Sequence, residues 1–142
     1  MVVRAAAGVI LRDGNARVLL MRRADEETWS IPGGGVEPGE SWSETAVREC
    51  REETGWVARI DSLLGIYSDP RTQVHCYPSG ALRHFVGVVF FATALRRVGR
   101  GDGEATDLRW FAADDLPQEI FAPDRPVIRD AFDPYLQRPV IR

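Results

Sequence analysis

Runs of apolar residues predict several β-strands along the 142-residue chain. Residues 2–11 are nearly all apolar, and the turn residues Asp13-Gly14-Asn15 separate them from a second apolar run at 18–21. This pattern is typical of two strands joined by a hairpin or a short loop. Further strands are predicted at 60–67, 74–77, 82–95 and, as the last one, 108–111. Within 84–94 both alternating faces are apolar, which indicates a central strand covered on both sides.

Two other segments carry helix signals. Ser41 or Ser43 is suited to cap a helix that runs to about Thr54, and Gly55 is suited to end it. Helical spacing places a stripe of small and apolar residues on one face, which we expect to pack on the sheet: Ser43, Ala46, Val47, Cys50 and Thr54. A second helix is predicted to begin at 123–126 and to lose its regularity near Pro134.

Strands and helices in this order predict an α/β fold, and no linker or repeat divides the chain, so we expect one domain over residues 1–142. The first residues lack the charged and apolar regions of a signal peptide. No apolar run approaches the roughly 20 residues that cross a bilayer. We therefore expect a cytoplasmic protein, with Cys50 and Cys76 as reduced thiols.

Composition narrows the classes of function. The formal charge is −3, which gives no electrostatic reason to expect a nucleic acid or an anionic membrane as partner. All 18 basic residues are arginines, so a Schiff-base lysine and the lysine of a phosphate-binding P-loop are excluded. The two histidines have no spacing typical of a zinc site.

The acidic residues are concentrated in one segment. Residues 37–53 hold six of the ten glutamates and two arginines, which gives this segment a net charge of −4. Glu49 and Glu53 lie four residues apart on the predicted helix, where like charges repel each other unless a cation lies between them. Clustered carboxylates are the ligands that Mg²⁺ or Mn²⁺ prefers. A glycine- and proline-rich loop is predicted at 32–39, and its Gly33-Gly34-Gly35 run allows the backbone to approach such a cation and a diphosphate.

This segment resembles the Nudix box, GX5EX7REUXEEXGU. The match begins at Gly34, continues through Glu40 and ends on the run from Arg48 to Trp56. Every fixed position agrees, and the two positions that are usually bulky aliphatic residues hold Cys50 and Trp56. The resemblance implies a Nudix fold, an α/β/α sandwich with a mixed β-sheet.

The resemblance also implies a metal-dependent hydrolysis of phosphoric anhydrides, with water attacking phosphorus. Glu49, Glu52 and Glu53 match the family's metal-binding carboxylates, and the carbonyl of Gly33 or Gly34 is a further candidate ligand for Mg²⁺ or Mn²⁺. Arg48 and Glu40 match positions that organise the loop and the helix. Many members of the family form homodimers, so a homodimer is one expected assembly.

The general base is left open, because its position varies within the family. Glu53 and Glu49 are candidates inside the box. Glu104 is a candidate in the glycine-rich loop at 100–104, with Asp107 as its competitor. A base has to reach the attacking water, so geometry decides among them.

Four residues outside the box are candidates for contact with the substrate. Trp29 precedes the glycine run, although core packing is the alternative. Tyr67 and Arg71 flank a turn at which Nudix enzymes often select the nucleoside, and a plain turn is the alternative. Arg22, next to Arg23, ends a strand and suits phosphate, with an ordinary surface pair as the alternative.

The resemblance implies three candidate functions. The first is hydrolysis of the diphosphate linkage in a nucleoside diphosphate derivative, with ADP-ribose or another nucleoside diphosphate sugar as the substrate. The second is house-cleaning hydrolysis of (d)NTPs. The third, of another class, is a non-catalytic domain that senses a nucleotide, which is disfavoured because the box carboxylates are all present.

Overall fold

The structure is a computed structural model that describes residues 1–142. Its central feature is a nine-stranded mixed sheet. The strands are β1 (Val2–Arg12), β2 (Val18–Arg23), β3 (Trp29–Ser30), β4 (Gly33–Gly35), β5 (Trp56–Tyr67), β6 (Val74–Cys76), β7 (Leu82–Arg97), β8 (Ala105–Phe111) and β9 (Val140–Ile141). The helices are α1 (Trp42–Thr54), α2 (Pro70–Gln73) and α3 (Arg125–Phe132), with a 3-10 turn at Ala122–Asp124.

The main path of the sheet runs β3-β2-β1-β7-β5-β9. β7 pairs with β1 in parallel and with β5 in antiparallel, which confirms that it is central. Its residues are buried only at 88–89 and 91–92, so the predicted cover on both sides is confined to the middle of the strand. β4, β6 and β8 pair with β1, β7 and β2 respectively.

Two hydrophobic clusters cover the two faces of the sheet. On one face Ala46 and Cys50 of α1 pack with Val9 and other residues of β1 and β2. On the other face Val127 and Ile128 of α3 pack in a separate cluster with residues of β1, β2 and β7. Successive residues of β1 alternate between the clusters, as the period of a strand requires. The result is a helix–sheet–helix sandwich with α1 and α3 on opposite faces.

Helix α1 has the predicted bounds, and the structure decides its cap. Ser41 Oγ accepts the Glu44 N–H at 3.2 Å, and Glu44 Oε1 accepts the Ser41 N–H at 3.1 Å, which is a reciprocal capping box. Gly55 ends the helix at a φ of 77°, in the left-handed region that favours glycine. The predicted buried stripe is wrong in part: Ser43 is exposed, whereas Thr45 and Glu53 are buried.

Three strand predictions also need correction. The glycine run predicted as a loop forms β4, because Gly33 and Gly35 pair with Gly8 and Ala6 of β1. β5 begins at Trp56, four residues before the predicted start. β8 is not the last strand, because β9 pairs in parallel with the end of β5. A two-residue strand is too short to show a hydrophobic period, which is why the sequence pattern misses it.

Both cysteines are free, as predicted. Cys50 lies in the core under α1, and burial raises the pKa of its thiol to about 11. Cys76 is exposed at the end of β6. None of the helices has the length and the apolar character that crossing a bilayer requires.

Candidate active site

A cleft of about 330 Å³ opens over the sheet where small residues meet on β1, β4 and β7. Ala6 lies opposite Gly35 on one side and Gly87 on the other. A side chain at Gly33 would lie within 2.7 Å of the Gly8 Cα, so these strands approach closely only because the residues are small. The missing side chains leave the hollow that forms the floor of the cleft.

Glu53 is the most buried acidic residue at the cleft. Its side chain extends from the last turn of α1, the residue is only 8% exposed, and Oε1 accepts the Gly33 N–H at 2.8 Å. Burial raises the pKa of this carboxyl to about 9, with further upward contributions from Glu49 and Asp102, although the Gly33 hydrogen bond opposes the change. Without a cation nearby, Glu53 is therefore protonated at neutral pH.

Glu49 lies one turn earlier on α1 and faces Gly34. A Cβ built on Gly34 would lie 2.6 Å from Glu49 Oε1, so glycine at position 34 makes the space for this carboxylate. Burial raises the pKa of Glu49, and a hydrogen bond from Arg48 opposes the change. Glu49 and Glu53 thus both face the glycines of β4 from the helix side.

Arg48 connects the acidic residues of the segment. Its guanidinium donates to both Glu40 oxygens at 2.6 and 2.9 Å, to Glu49 Oε1 at 2.9 Å and to Glu52 Oε2 at 3.1 Å. It also donates to the Gly35 carbonyl at 3.1 Å, which ties α1 to β4. The hydrogen bond from Arg48 lowers the pKa of Glu40 to about 2. Arg48 and Glu40 therefore fix the loop and the helix relative to each other.

A glycine-rich loop after β7 brings Glu104 to the cleft. The loop packs so closely on the end of α1 that a side chain at Gly101 would collide with the Glu53 carbonyl. Gly101 has a φ of 87°, which also favours glycine. The Glu104 N–H donates to Asp102 Oδ1 at 3.0 Å. Asp107 lies apart from the cleft, on β8, and pairs with Arg109.

We call the lining by Gly33, Gly34, Glu49, Glu53 and Glu104 the acidic wall. Aromatic residues from four segments form what we call the aromatic wall, namely Tyr67, Tyr77, Phe85 and Phe121. The Arg23 guanidinium lies 4.3 Å from the centre of the Phe121 ring and pairs with Asp25. The Tyr67 hydroxyl donates to Asp130 at 2.9 Å, which fixes its ring at the base of this wall.

Asp124 lies beside the aromatic wall at the start of α3. Its Oδ2 accepts the Ile31 N–H at 2.9 Å and so holds the 3-10 turn against the segment that leads into β4. Burial raises the pKa of Asp124 to about 7, opposed by this hydrogen bond and by the charge of Arg23. A titratable carboxyl therefore borders the cleft on the side away from α1.

The acidic wall has the donors that a hard divalent cation requires. Carboxylate oxygens of Glu49 and Glu53 meet a backbone strand that carries no side chains. The second oxygen of Glu53 has no hydrogen-bond partner within the protein, so it is available to a cation. In this conformation no three acidic residues converge on one point, because Glu52 turns toward Arg48 and solvent. The donor set fits Mg²⁺ or Mn²⁺ in its chemistry.

Comparison with known proteins agrees with this geometry. The family model described as the NUDIX domain matches residues 2–131. The chain belongs to the Nudix hydrolase family.

Individual relatives extend the comparison. An ADP-ribose pyrophosphatase of Methanocaldococcus jannaschii is 32% identical over 129 residues, covering 89% of this chain and 70% of its own. A Bacillus subtilis protein provisionally named 8-oxo-dGTP diphosphatase is 35% identical over 112 residues, covering 78% and 68%. The crystal structure of a MutT NUDIX hydrolase from Burkholderia pseudomallei superposes with a TM-score of 0.74 at 26% identity, covering 90% and 97%. The predicted Nudix fold is confirmed.

The structure separates the residues proposed for the Nudix site into two groups. At the cleft it brings together Gly34, Glu49, Glu53, Glu104 and Tyr67. The others lie outside it. Trp29 packs edge-on against Phe111 in the core, at a ring distance of 5.1 Å. Arg22 lies 3.9 Å from Glu27, and the Arg71 side chain is 87% exposed and pairs with Asp69.

Sequence reasoning missed several residues of the cleft of this Nudix protein, among them Arg4, Tyr77, Phe121 and Asp124. The pair Arg22-Arg23 was noted, but the structure places Arg23 rather than Arg22 at the cleft. Strand alternation favours Arg22 instead, because Val18 and Leu20 of β2 lie in the same cluster as Tyr67 and Val127 of the cleft. An irregular register between Arg22 and Arg23 interrupts this alternation. No pattern in the sequence indicates Phe121 or Asp124 as cleft residues, because they reach the cleft through the packing of the 3-10 turn.

Proposed function

We propose that the protein hydrolyses the diphosphate linkage of a nucleoside diphosphate derivative in a metal-dependent reaction. The observation that carries this proposal is the pair Glu49 and Glu53 facing a side-chain-free strand inside a cleft. Such a strand allows a diphosphate to approach the carboxylates. The opposite, aromatic wall is suited to a nucleoside.

In this proposal Glu49, Glu52, Glu53 and the Gly34 carbonyl hold Mg²⁺ or Mn²⁺. When bound, the cation neutralises phosphate charge and lowers the pKa of a water molecule. Glu52 has to leave Arg48 and turn toward the cleft, which its position on the exposed side of α1 permits. Arg48 keeps its bidentate contact with Glu40 and so continues to hold Glu49 in place.

Three carboxylates are candidates for the general base. Glu53 already accepts the Gly33 N–H through one oxygen and has the other free to accept a proton from water. Because its pKa is raised, Glu53 would have to lose its own proton, which a cation held beside it would favour, before it could accept one from water. Glu49 and Glu104 are the alternatives, and Glu104 lies on a loop whose position depends on contacts with α1.

ADP-ribose or another nucleoside diphosphate sugar is the first substrate class in this proposal, and the similarity to the archaeal ADP-ribose pyrophosphatase supports it. A (d)NTP is the second, supported by the similarity to the Bacillus subtilis protein named for 8-oxo-dGTP. The reaction at phosphorus is the same in both classes, so the acidic wall does not distinguish them. Residues elsewhere in the cleft therefore have to distinguish nucleoside diphosphate sugars from (d)NTPs.

The test is a substrate panel of nucleoside diphosphate sugars and (d)NTPs with Mg²⁺, Mn²⁺ or EDTA, in which released phosphate is measured after phosphatase treatment. The Glu53→Gln variant should lose about three orders of magnitude in turnover while its melting temperature stays near that of the wild type. Glu119→Gln is the matched control, since Glu119 is exposed and its side chain makes no hydrogen bond or ion pair. Binding of a nucleotide without metal, with no turnover on any substrate, would instead establish the sensing function.

A further inference from the structure

A second groove continues from the cleft on the side away from α1. Its volume is about 570 Å³, and it shares Arg4, Tyr77 and Phe85 with the cleft. Residues of the turn at 78–81, together with Asp25 and Arg83, line the rest of it. Because three residues border both spaces, a substrate bound at the acidic wall has a direct path into this groove.

Arg4 stands at the junction of the two spaces. Its guanidinium lies against the backbone of Gly35, where a Cβ would come within 2.7 Å of Nε. Gly35 follows Gly34, whose missing side chain makes room for Glu49. Arg4 forms no ion pair and no side-chain hydrogen bond, so all of its donors are available to a ligand.

Arg83 extends the positive charge along the groove. In the register of β1 with β7, Arg4 lies opposite Phe85 and Val2 opposite Arg83, which places both arginines on the same face of adjacent strands. Such diagonal neighbours are about 7–8 Å apart at Cα. Arg83 also forms no ion pair, and its only side-chain hydrogen bond goes to the adjacent Leu82 carbonyl at 3.1 Å.

The carboxylate in this groove is already engaged. Asp25 accepts two hydrogen bonds from Arg23, at 3.1 and 2.9 Å, and this contact lowers the pKa of Asp25. Arg4 and Arg83 are therefore not neutralised by a neighbour, so the groove has a net positive charge. Two unpaired guanidinium groups at this spacing suit phosphate oxygens, which a guanidinium binds with paired N–H donors.

We propose that Arg4 and Arg83 form an anion subsite that binds a third phosphate of the substrate, beyond the two held at the acidic wall. This inference rests on the proposed function for the position of the diphosphate. The third phosphate has two chemical sources. One is the terminal phosphate of a nucleoside triphosphate, and the other is a phosphate carried by the second half of a nucleoside diphosphate conjugate.

The experiment compares three substrates that share the adenosine diphosphate part, namely ADP-ribose, ADP-ribose phosphorylated on its distal ribose, and ATP. For each we measure KM with the wild type, Arg83→Gln and Arg4→Gln. Arg96→Gln is the matched control, because Arg96 is an unpaired, exposed arginine at the other end of the same strand. Circular dichroism and melting temperature establish that each variant is folded.

In the wild type at least one of the two substrates with a third phosphate should have a lower KM than ADP-ribose. Arg83→Gln should raise the KM of that substrate relative to ADP-ribose by roughly tenfold, and Arg96→Gln should leave the ratio unchanged. Which substrate responds identifies the source of the phosphate. An equal change for all three substrates, or a change for ADP-ribose alone, would overturn the anion subsite.

Binding separates this inference from the proposed function. Calorimetry with the α,β-methylene analogue of ATP reports affinity without turnover, because a methylene bridge replaces the oxygen of the bond that the proposed reaction breaks. If the wild type hydrolyses nothing but Arg83→Gln still weakens binding of this analogue by roughly tenfold, the subsite stands and the proposed hydrolysis fails. If hydrolysis occurs and the binding of the analogue is the same in the wild type and in Arg83→Gln, the hydrolysis stands and the subsite fails.

Discussion

The two walls of the cleft are built in opposite ways. Apart from Glu104, the acidic wall comes from one continuous segment, residues 33–53, and its charges are organised by a single arginine. The aromatic wall comes from four segments that are distant in sequence, and Arg4 beside it has no charged partner. The groups proposed to hold the cation are therefore placed by local structure, whereas those proposed to face the substrate are placed by the tertiary fold.

The largest effect on activity is expected at Gly34, on the acidic wall. Gly34→Ala places a methyl group on the Glu49 carboxylate and has to displace it. We expect kcat/KM to fall by about two orders of magnitude, because displacements near 1 Å at a reacting centre have effects of that size. Steady-state kinetics on the best substrate of the panel would measure the change.

Gly14→Ala is the control for this prediction. A Cβ at Gly14 meets no atom within 4 Å, and its backbone does not need the left-handed region. The control variant should retain the kcat/KM of the wild type. Equal activity of the two variants would show that the space at Gly34 has no part in placing Glu49.

Beside the aromatic wall, a change at Asp124 should alter how the free energy of unfolding depends on pH. The pKa of Asp124 is raised to about 7 in the folded protein, from 3.8 for an unperturbed aspartate. The folded state then binds more protons than the unfolded state between these values, so the free energy of unfolding falls as pH rises through this window. Asp124→Asn keeps an oxygen acceptor for the Ile31 N–H and removes the titration.

We therefore expect the free energy of unfolding of Asp124→Asn, relative to that of the wild type, to be higher at pH 8 than at pH 4. The expected increase in this difference is on the order of 2 kcal/mol. Urea unfolding across this pH range measures both free energies. Parallel pH curves for the two proteins would contradict the buried titration. No such gain is expected from an exposed aspartate such as Asp114, whose side chain forms no hydrogen bond or ion pair.

The smallest effect is expected at Arg71, which tests how far the region proposed to contact the substrate extends. Its side chain is 87% exposed, bonds only Asp69 and does not line the cleft. Arg71→Ala should change KM by less than twofold, since exposed ion pairs contribute little. A clear rise in KM would place the turn after β5 in contact with the substrate and extend the aromatic wall beyond Tyr67.

The contrast between the acidic wall, built mainly from one segment, and the aromatic wall, built from four, explains what could be predicted from the sequence. The capping box at Ser41, the C-cap at Gly55 and the helical spacing of Glu49 and Glu53 are local signals, so helix α1 and its carboxylates could be placed before the structure was known. The register that sets Arg4 beside Phe85 depends on the pairing of β1 with β7, about 80 residues apart. No local pattern encodes such a contact.

Glu52 and the glycine strand show the limit on the acidic side. Helical spacing gives the direction of Glu52, but not its hydrogen bond to Arg48, which holds it away from the cleft in this conformation. The glycines at 33–35 suggested a loop because glycine is uncommon in strands. Their pairing with β1 follows from the small residues there, which only the three-dimensional contact brings together.

The different burial of the two cysteines has a practical consequence for following ligands. Cys50 is enclosed under α1, whereas Cys76 is exposed and immediately precedes Tyr77 of the aromatic wall. A thiol-reactive fluorophore should therefore label the folded wild-type protein at one place without any engineering. Because the adjacent Tyr77 lines both the cleft and the second groove, we expect a nucleotide that enters either space to change the emission of the dye.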